Sequence, residues 1–346
     1  MAVGDFAIPG TESPVAFRQE TTYGTFALTT TALHPFVATS IGVKTEFETQ
    51  KLDELSRQRG FTRQVQLDKK VGGPVEGFFH AEESIRLLIN AMGGRYTFNS
   101  LTSAGDHSIS TGNFSASDTC VSLSMYAGKG NQHAWRYAGG VVDTLKISAN
   151  VGEPVKITAE MVFQDSSLSA ADTAPAAVMS VSTIAPFTYV DGVFRYAAVE
   201  GSLTSTLNEP IQGFELEIKN NLMTGPEARQ LGSRILSRRP PATRREVSLK
   251  VTQRFDTTTA FDRFVSNTGG SVQLFFSGAS ITAEYNREAR CTLPNVRFKG
   301  AEPLVEGANA ILSSDIEFDI LVSGDSGTLT SREIGWTIRN GLTTAI

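Results

Sequence analysis

Hydrophobic and polar positions alternate along most of this chain, at the period of two expected of strands that bury one face. Near residue 41, Ile41, Val43 and Phe47 fall on one side, and Lys44, Glu46 and Glu48 on the other. Between 155 and 164, Val155, Ile157, Ala159, Met161 and Phe163 oppose Lys156, Thr158, Glu160 and Gln164. The run before it places Leu145 and Ile147 around Lys146, and a Gly-Glu-Pro turn at 152–154 joins the two into a predicted hairpin. Phe214, Leu216, Ile218 and Leu222 alternate with Glu215, Glu217 and Lys219. Ile316, Phe318, Ile320 and Val322 alternate with Asp315, Glu317 and Asp319, and Ile334, Trp336 and Ile338 close the series. Shorter strands are predicted at 120–125, 272–276 and 281–284.

A helical period interrupts this alternation twice. The stretch VGGPVEGFFHAEESIRLLINAMGG (71–94) starts as a strand with Val71, Val75 and Phe79 on one face. It continues as a short amphipathic helix carrying Ile85, Leu88 and Ile89, and stops at Gly93-Gly94. The stretch VSLKVTQRFDTTTAFDRFVSNTGG (247–270) repeats the pattern without a gap. Phe79 corresponds to Phe255, Ile85 to Phe261, Leu88 to Phe264, Ile89 to Val265, and Gly93-Gly94 to Gly269-Gly270. Burying each apolar helix residue stabilises by ~1.5–3 kcal/mol, enough to hold a helix too short to stand alone. These eight residues are the expected packing core of two copies of one unit.

The rest of the chain divides around that duplication. Residues 1–39 read as an irregular arm, with the piece Glu20 to Ala27 either a plain loop or a dock for a neighbouring subunit. An Ala-, Ser- and Thr-rich stretch near 166–184 reads as a linker. The expected division is therefore an arm at 1–39, one domain at 40–183 and a second at 184–346. Each half runs strand, basic loop, strand, helix, several strands and a closing hairpin. Such an order folds mainly as β, into two tandem β-sandwiches or barrels with one flanking α-helix each. The basic loops carry Arg57, Arg59 and Arg63 in the first half and Arg229, Arg234, Arg238, Arg239, Arg244 and Arg245 in the second.

Composition narrows the function. The 346 residues carry 31 basic and 36 acidic side chains, a formal net charge of −5, which does not suit a nucleic-acid binder. The two cysteines, Cys120 and Cys291, lack CxxC spacing and read as free thiols. The N-terminal residues have neither the basic start nor the apolar run of a signal peptide, and no apolar stretch has the length of a membrane span. The four histidines, His34, His80, His107 and His133, are scattered without metal-ligand spacing, so no metal or cofactor is expected. His80 and its counterpart Asp256 read as helix caps. No nucleophile elbow, phosphate loop or dinucleotide fingerprint occurs. The acidic pairs Glu46/Glu48 and Glu215/Glu217 each share a strand face, which reads as a solvated face rather than a catalytic pair. Arginine-rich loops fit a protein–protein contact.

Taken in order, these segments resemble the tail tube (major tail) proteins of long-tailed bacteriophages, in the form with tandem tube domains. The resemblance is carried by ETTYGTFA (20–27), the strand–loop–strand–helix order around 71–94, YAGGVVDTLKI (137–147) and the hairpin ending at Asp165. APFTYVDG (185–192) and LEIKNNL (216–222) extend it into the second half. It implies a structural, non-enzymatic virion protein, made in the host cytoplasm. Three two-domain chains would form a pseudo-hexameric ring, and stacked rings a hollow conduit for DNA delivery. The implied partners are the chain itself, tail sheath or tape measure, terminator and baseplate proteins, with DNA passing unbound and no membrane. Arg57, Arg59, Arg63, Arg234, Arg238 and Arg239 would then contact the adjacent ring, and Glu46, Glu48, Glu215 or Glu217 would face the lumen. The alternatives are another ring-forming tail or baseplate protein, a secretion-system inner tube, or a carbohydrate-acting β-sandwich enzyme.

Overall fold

Strands dominate the folded chain because most of its segments offer one apolar and one polar face. The computed structural model describes residues 14–26, 33–53, 61, 63–93, 95–111, 122–128, 134–169, 184–204, 208–304, 313–323 and 332–344. The first half contains β1 (Val15–Glu20), β2 (His34–Phe36), β3 (Ala38–Ile41), β4 (Lys44–Lys51) and β5 (Gln64–Phe78). Helix α1 (Ile85–Ala91) follows, then β6 (Arg95–Ser100), β7 (Gly105–Ser110), β8 (Ser122–Gly128), β9 (Ala134–Asn150), β10 (Lys156–Phe163) and β11 (Asp165–Ser169). The second half contains β12 (Gly192–Ala197), β13 (Asn208–Glu209), β14 (Gly213–Lys219), β15 (Glu246–Arg254) and α2 (Thr259–Val265). It ends with β16 (Gly269–Ser280), β17 (Asn286–Gly300), β18 (Pro303–Leu304), β19 (Ser313–Ile320) and β20 (Gly335–Asn340). The architecture is mainly β, with two α-helices among the described residues.

All strand pairing is antiparallel. One sheet runs unbroken through both halves in the order β4–β5–β10–β9–β14–β15–β19–β17. Where the halves meet, Glu217 lies opposite Lys146 and Ile218 opposite Leu145. The long strands β9 and β17 also reach into further layers. The first half of β9 pairs with β8 and β11, and β8 with β1. Strand β16 pairs along β17 from Asn286 to Arg297, and β20 pairs with its first half. The outer edge of β20 is covered by β7 from the first half, so the chain joins itself a second time. Valines, leucines and phenylalanines of these layers form one buried cluster that includes Phe79, Leu145, Leu216, Phe276, Phe318 and Trp336.

Three segments depart from the sequence reading. The stretch expected to be an irregular arm supplies β1, β2 and β3. Val15, Ala16 and Phe17 are all buried, so no period of two is visible there. Part of the expected linker is β11, while residues 170–183 lie outside those described. The expected single strand near 41 is broken at Gly42, whose amide bonds the Pro74 carbonyl at 2.8 Å.

The helices also differ in how they end. Gly93 takes a left-handed φ of 89° just after α1, as glycine allows without a Cβ clash. After α2 that conformation falls to Asn267, φ 48°, and Gly269-Gly270 instead opens β16. Nor do His80 and Asp256 cap the helices. A turn at 81–84 intervenes before α1, with the Ser84 hydroxyl accepting from the His80 amide at 3.0 Å. Asp256 instead pairs with Arg254 at 2.8 Å.

Candidate assembly surfaces

The continuous sheet has one buried face and one wet one. Val71, Val75, Ala159, Leu145, Leu216, Leu249 and Phe318 point inward. Alternation then forces the charged neighbours outward. Lysine pairs with all four glutamates singled out from the sequence. The pairs are Lys44–Glu46 at 2.6 Å, Lys70–Glu48 at 2.9 Å, Lys146–Glu215 at 2.8 Å and Lys219–Glu217 at 3.0 Å. Lys250–Asp315, at 2.7 Å, extends the pattern. The ammonium hydrogen bonds from Lys44, Lys70 and Lys250 hold the carboxyls of Glu46, Glu48 and Asp315 below the usual range. Burial, with Glu76 and Asp143 nearby, pushes Glu160 up. This face is thus a lattice of opposite charges rather than an acidic surface. The sequence pattern showed the acids and underweighted the lysines. Lys44 and Lys219 lie on the same strands as their acids, while Lys70, Lys146 and Lys250 lie on neighbouring strands and pair only once the register is set.

The edges of this sheet are a second surface. Among the described residues, no strand lies beside the outer edge of β3 and β4. The same holds for the outer edge from Gly300 through β18. Open edges present unpaired amides and carbonyls ready to accept another strand.

A third surface is the far end of the β4–β5 hairpin. There the buried face runs beyond the body of the protein, leaving Phe47, Val65 and Leu67 exposed. Phe61, in the connecting segment, is 64% exposed. Arg57 and Arg59 lie outside the described residues, and Arg63 is exposed on this hairpin.

The second basic loop, 220–245, does not simply project. It lies across the first half, where its Arg234 carbonyl accepts from the Lys69 amide at 2.9 Å. Its Leu236 carbonyl accepts from Gln164 Nε2 at 2.8 Å, and Arg229 pairs with Asp68 at 3.3 Å. Arg238 Nε donates to the Glu227 carbonyl at 2.6 Å, and Arg239 lies near Tyr23, whose hydroxyl burial pushes well above its ordinary range. The Arg234 and Arg238 side chains remain exposed. Sequence spacing could not show which loop folds back, because the carbonyl partners leave no side-chain signature.

The two helices are placed unequally. Every residue of α1 is buried, including Ile85, Leu88 and Ile89, and Phe79 is buried beside it. In α2 no residue is fully buried. Phe255, Phe261 and Phe264 are half-buried, and Val265 is 67% exposed. The second helix therefore presents outward what the first packs inside. Cys291 is a buried free thiol, pushed up by desolvation, and Cys120 and His133 lie outside the described residues. Among the described residues no group of acids, histidines or cysteines is arranged to hold a metal ion. No helix among them is long and apolar enough to cross a membrane.

A charge-paired sheet face and open sheet edges give this mainly β chain surfaces on which further strands can add. The chain is a member of the phage tail tube protein family, which it matches over residues 10–320. Membership assigns it a structural role in the tail tube, self-assembly into a tube and a place in the virion. No curated protein matches the chain.

Proposed function

We propose that this protein is a non-enzymatic tube subunit with two tandem tube domains, near 40–183 and 184–346. Three copies close into a ring, and rings stack into the conduit through which DNA leaves the virion. The observation that carries this reading is the unbroken eight-stranded sheet. It joins the two halves edge to edge through β9 and β14. Among the described residues the β4 edge is open at one end and, beyond the part of β17 that β16 covers, the short Gly300–β18 edge at the other.

The registers support treating the halves as copies. Thr45 lies opposite Val71 as Ile218 lies opposite Val247. Val75 lies opposite Ala159 as Val251 lies opposite Ile316. A bulge interrupts β9 beside Met161 and interrupts β17 at the matching place after Phe298. Repeating the β9–β14 junction between chains then sets the β4 edge of one copy beside the Gly300–β18 edge of the next. Glu46 would face Gly300, and Lys44 would face Glu302, an opposite-charge pair like Glu217 and Lys146. Twenty-four strands at ~4.8 Å spacing and ~40° tilt close at about 48 Å between backbones, which leaves a bore for a DNA duplex. Head-to-tail contacts that close make the ring, and stacking contacts that do not close extend the tube.

The charged face would line that bore. Its paired lysines and acids give DNA no cationic track to bind. Arg57, Arg59 and Arg63 of the first basic loop, with the exposed Arg234 and Arg238, would meet the adjacent ring. Sheath or tape measure, terminator and baseplate proteins are the expected further partners. The experiment is negative-stain microscopy of the purified chain together with its charge reversal at Arg57, Arg59 and Arg63. Long hollow tubes from the parent and isolated rings from the variant are expected. A parent chain that stays monomeric at high concentration would sink the ring reading, and normal tubes from the variant would sink the assignment of those arginines.

A further inference from the structure

We infer that Phe47 of one copy seats against the C-terminal end of α2 of the next, so that an apolar contact seals the junction between chains where a polar clamp seals the one within. The inference rests on the ring reading and assigns the residues that decide its closure. Phe47 lies opposite Lys69 in the β4–β5 pair. In the β14–β15 pair, one step beyond Lys219 opposite Glu246, the same place belongs to Asn220. Asn220 is fully buried. Its Nδ2 donates to the Ala91 carbonyl at 2.9 Å and to the Val142 carbonyl at 3.0 Å. Its Oδ1 accepts from Arg245 Nε at 3.1 Å, and Arg245 also reaches the Met92 carbonyl at 3.4 Å. The within-chain junction therefore closes the end of α1 with hydrogen bonds.

At α2 the chemistry is inverted on both sides. The carbonyl in the place of Ala91 O, that of Asn267, already has a partner in its own chain, and so do two others of the same helix end. Ser266 Oγ donates to Asp262 O at 2.7 Å, the Thr268 amide to Arg263 O at 3.0 Å, and Arg297 to Asn267 O at 2.6 Å. The last turn instead offers Val265, 67% exposed, beside the half-buried Phe264. The incoming position is Phe47, 46% exposed on a strand with no neighbour on its outer edge among the described residues. A polar group buried without a partner costs more than it returns, whereas an apolar one gains by leaving water. A junction made after folding, between separate chains, is suited to the apolar choice.

The test uses the full chain. Phe47→Cys combined with Asn267→Cys should give covalent dimers and trimers on mild oxidation, and neither single variant should. Phe47→Asp and Val265→Asp should each raise the concentration needed for ring assembly about tenfold or more. Both sites are exposed, so the monomers should melt with the parent. Rings or tubes that form without the double-cysteine cross-link, or a Phe47→Asp chain that assembles like the parent, would overturn the contact while leaving the ring intact. A parent chain that never assembles would remove the ring reading and this inference together.

Discussion

At the scale of single residues, one acid among those described is tied at both carboxylate oxygens to its own chain. Glu20 is buried at the end of β1 and accepts four hydrogen bonds. They come from Ser122 Oγ at 2.5 Å, Ser124 Oγ at 2.6 Å, the Gly139 amide at 2.8 Å and the Gly24 amide at 2.9 Å. It locks the turn after β1 onto β8 and β9 of its own chain, where the sequence left open a dock for a neighbour. Glu20→Ala would strand these donors. It should cost about 3 kcal/mol or more, read as a lower urea midpoint with unchanged slope. The described histidines carry a pH prediction. Burial lowers His34 from 6.5 to about 4, with Arg86 adding to the shift, and burial also lowers His80 and His107. The Asn340 hydrogen bond, then Asp106 and Glu82, oppose the shift at His107 without cancelling it. A depressed folded pKa means that the unfolded chain binds the proton first. The stability from these groups is full above about pH 7 and lost as pH falls from 6.5 toward 4. Thermal unfolding between pH 7.5 and 4.5 should show a falling Tm, and a flat profile would exclude the histidines as its source.

At the scale of elements, the β6–β7 hairpin sits between α1 and β8, whereas in the second half α2 leads almost directly into β16. It pairs with β20, the last strand of the chain. Asn340, fully buried, pins that junction. It donates to the Ala81 carbonyl at 3.0 Å and accepts from the Leu342 amide at 3.0 Å, and its Oδ1 lies 2.9 Å from His107 Nε2. Asn340→Ala should destabilise by about 2–3 kcal/mol. Hydrogen exchange should quicken first in β6, β7 and β20, and uniform loss across the chain would argue against a local pin. Much of this level was legible beforehand. Alternation located β10, β14, β19, β20 and the end of β9 around Leu145 and Ile147, because each buries one face there. It missed β1, whose Val15, Ala16 and Phe17 are buried together, and β11, which has no apolar period. The repeat at 71–94 and 247–270 was plain in sequence, but burial of its helix was not. What covers a helix comes from distant strands, so Val265 reads like Ile89 and ends up in solvent.

At the scale of the whole molecule, the proposed ring register makes a charge-reversal prediction. Lys44→Glu would face Glu302 of the neighbouring copy and should weaken ring formation, as should Glu302→Lys facing Lys44. The double variant restores the pair and should recover assembly, scored by sedimentation at low and high salt. Recovery at low salt that fades at high salt is expected of an exposed pair. A double variant no better than either single one would exclude this register. The candidate surfaces were only half visible from sequence, since acids and arginines show as letters while their partners depend on which strands meet. The second join, β7 on β20, has a mechanical consequence. Within a chain the halves are stitched at two strand pairings, β9 with β14 and β7 with β20, but a junction between chains in the proposed register would have only one. A three-copy ring would therefore alternate stiff and compliant seams, and a tube built from it should flex along the three softer lines rather than bend evenly around its circumference.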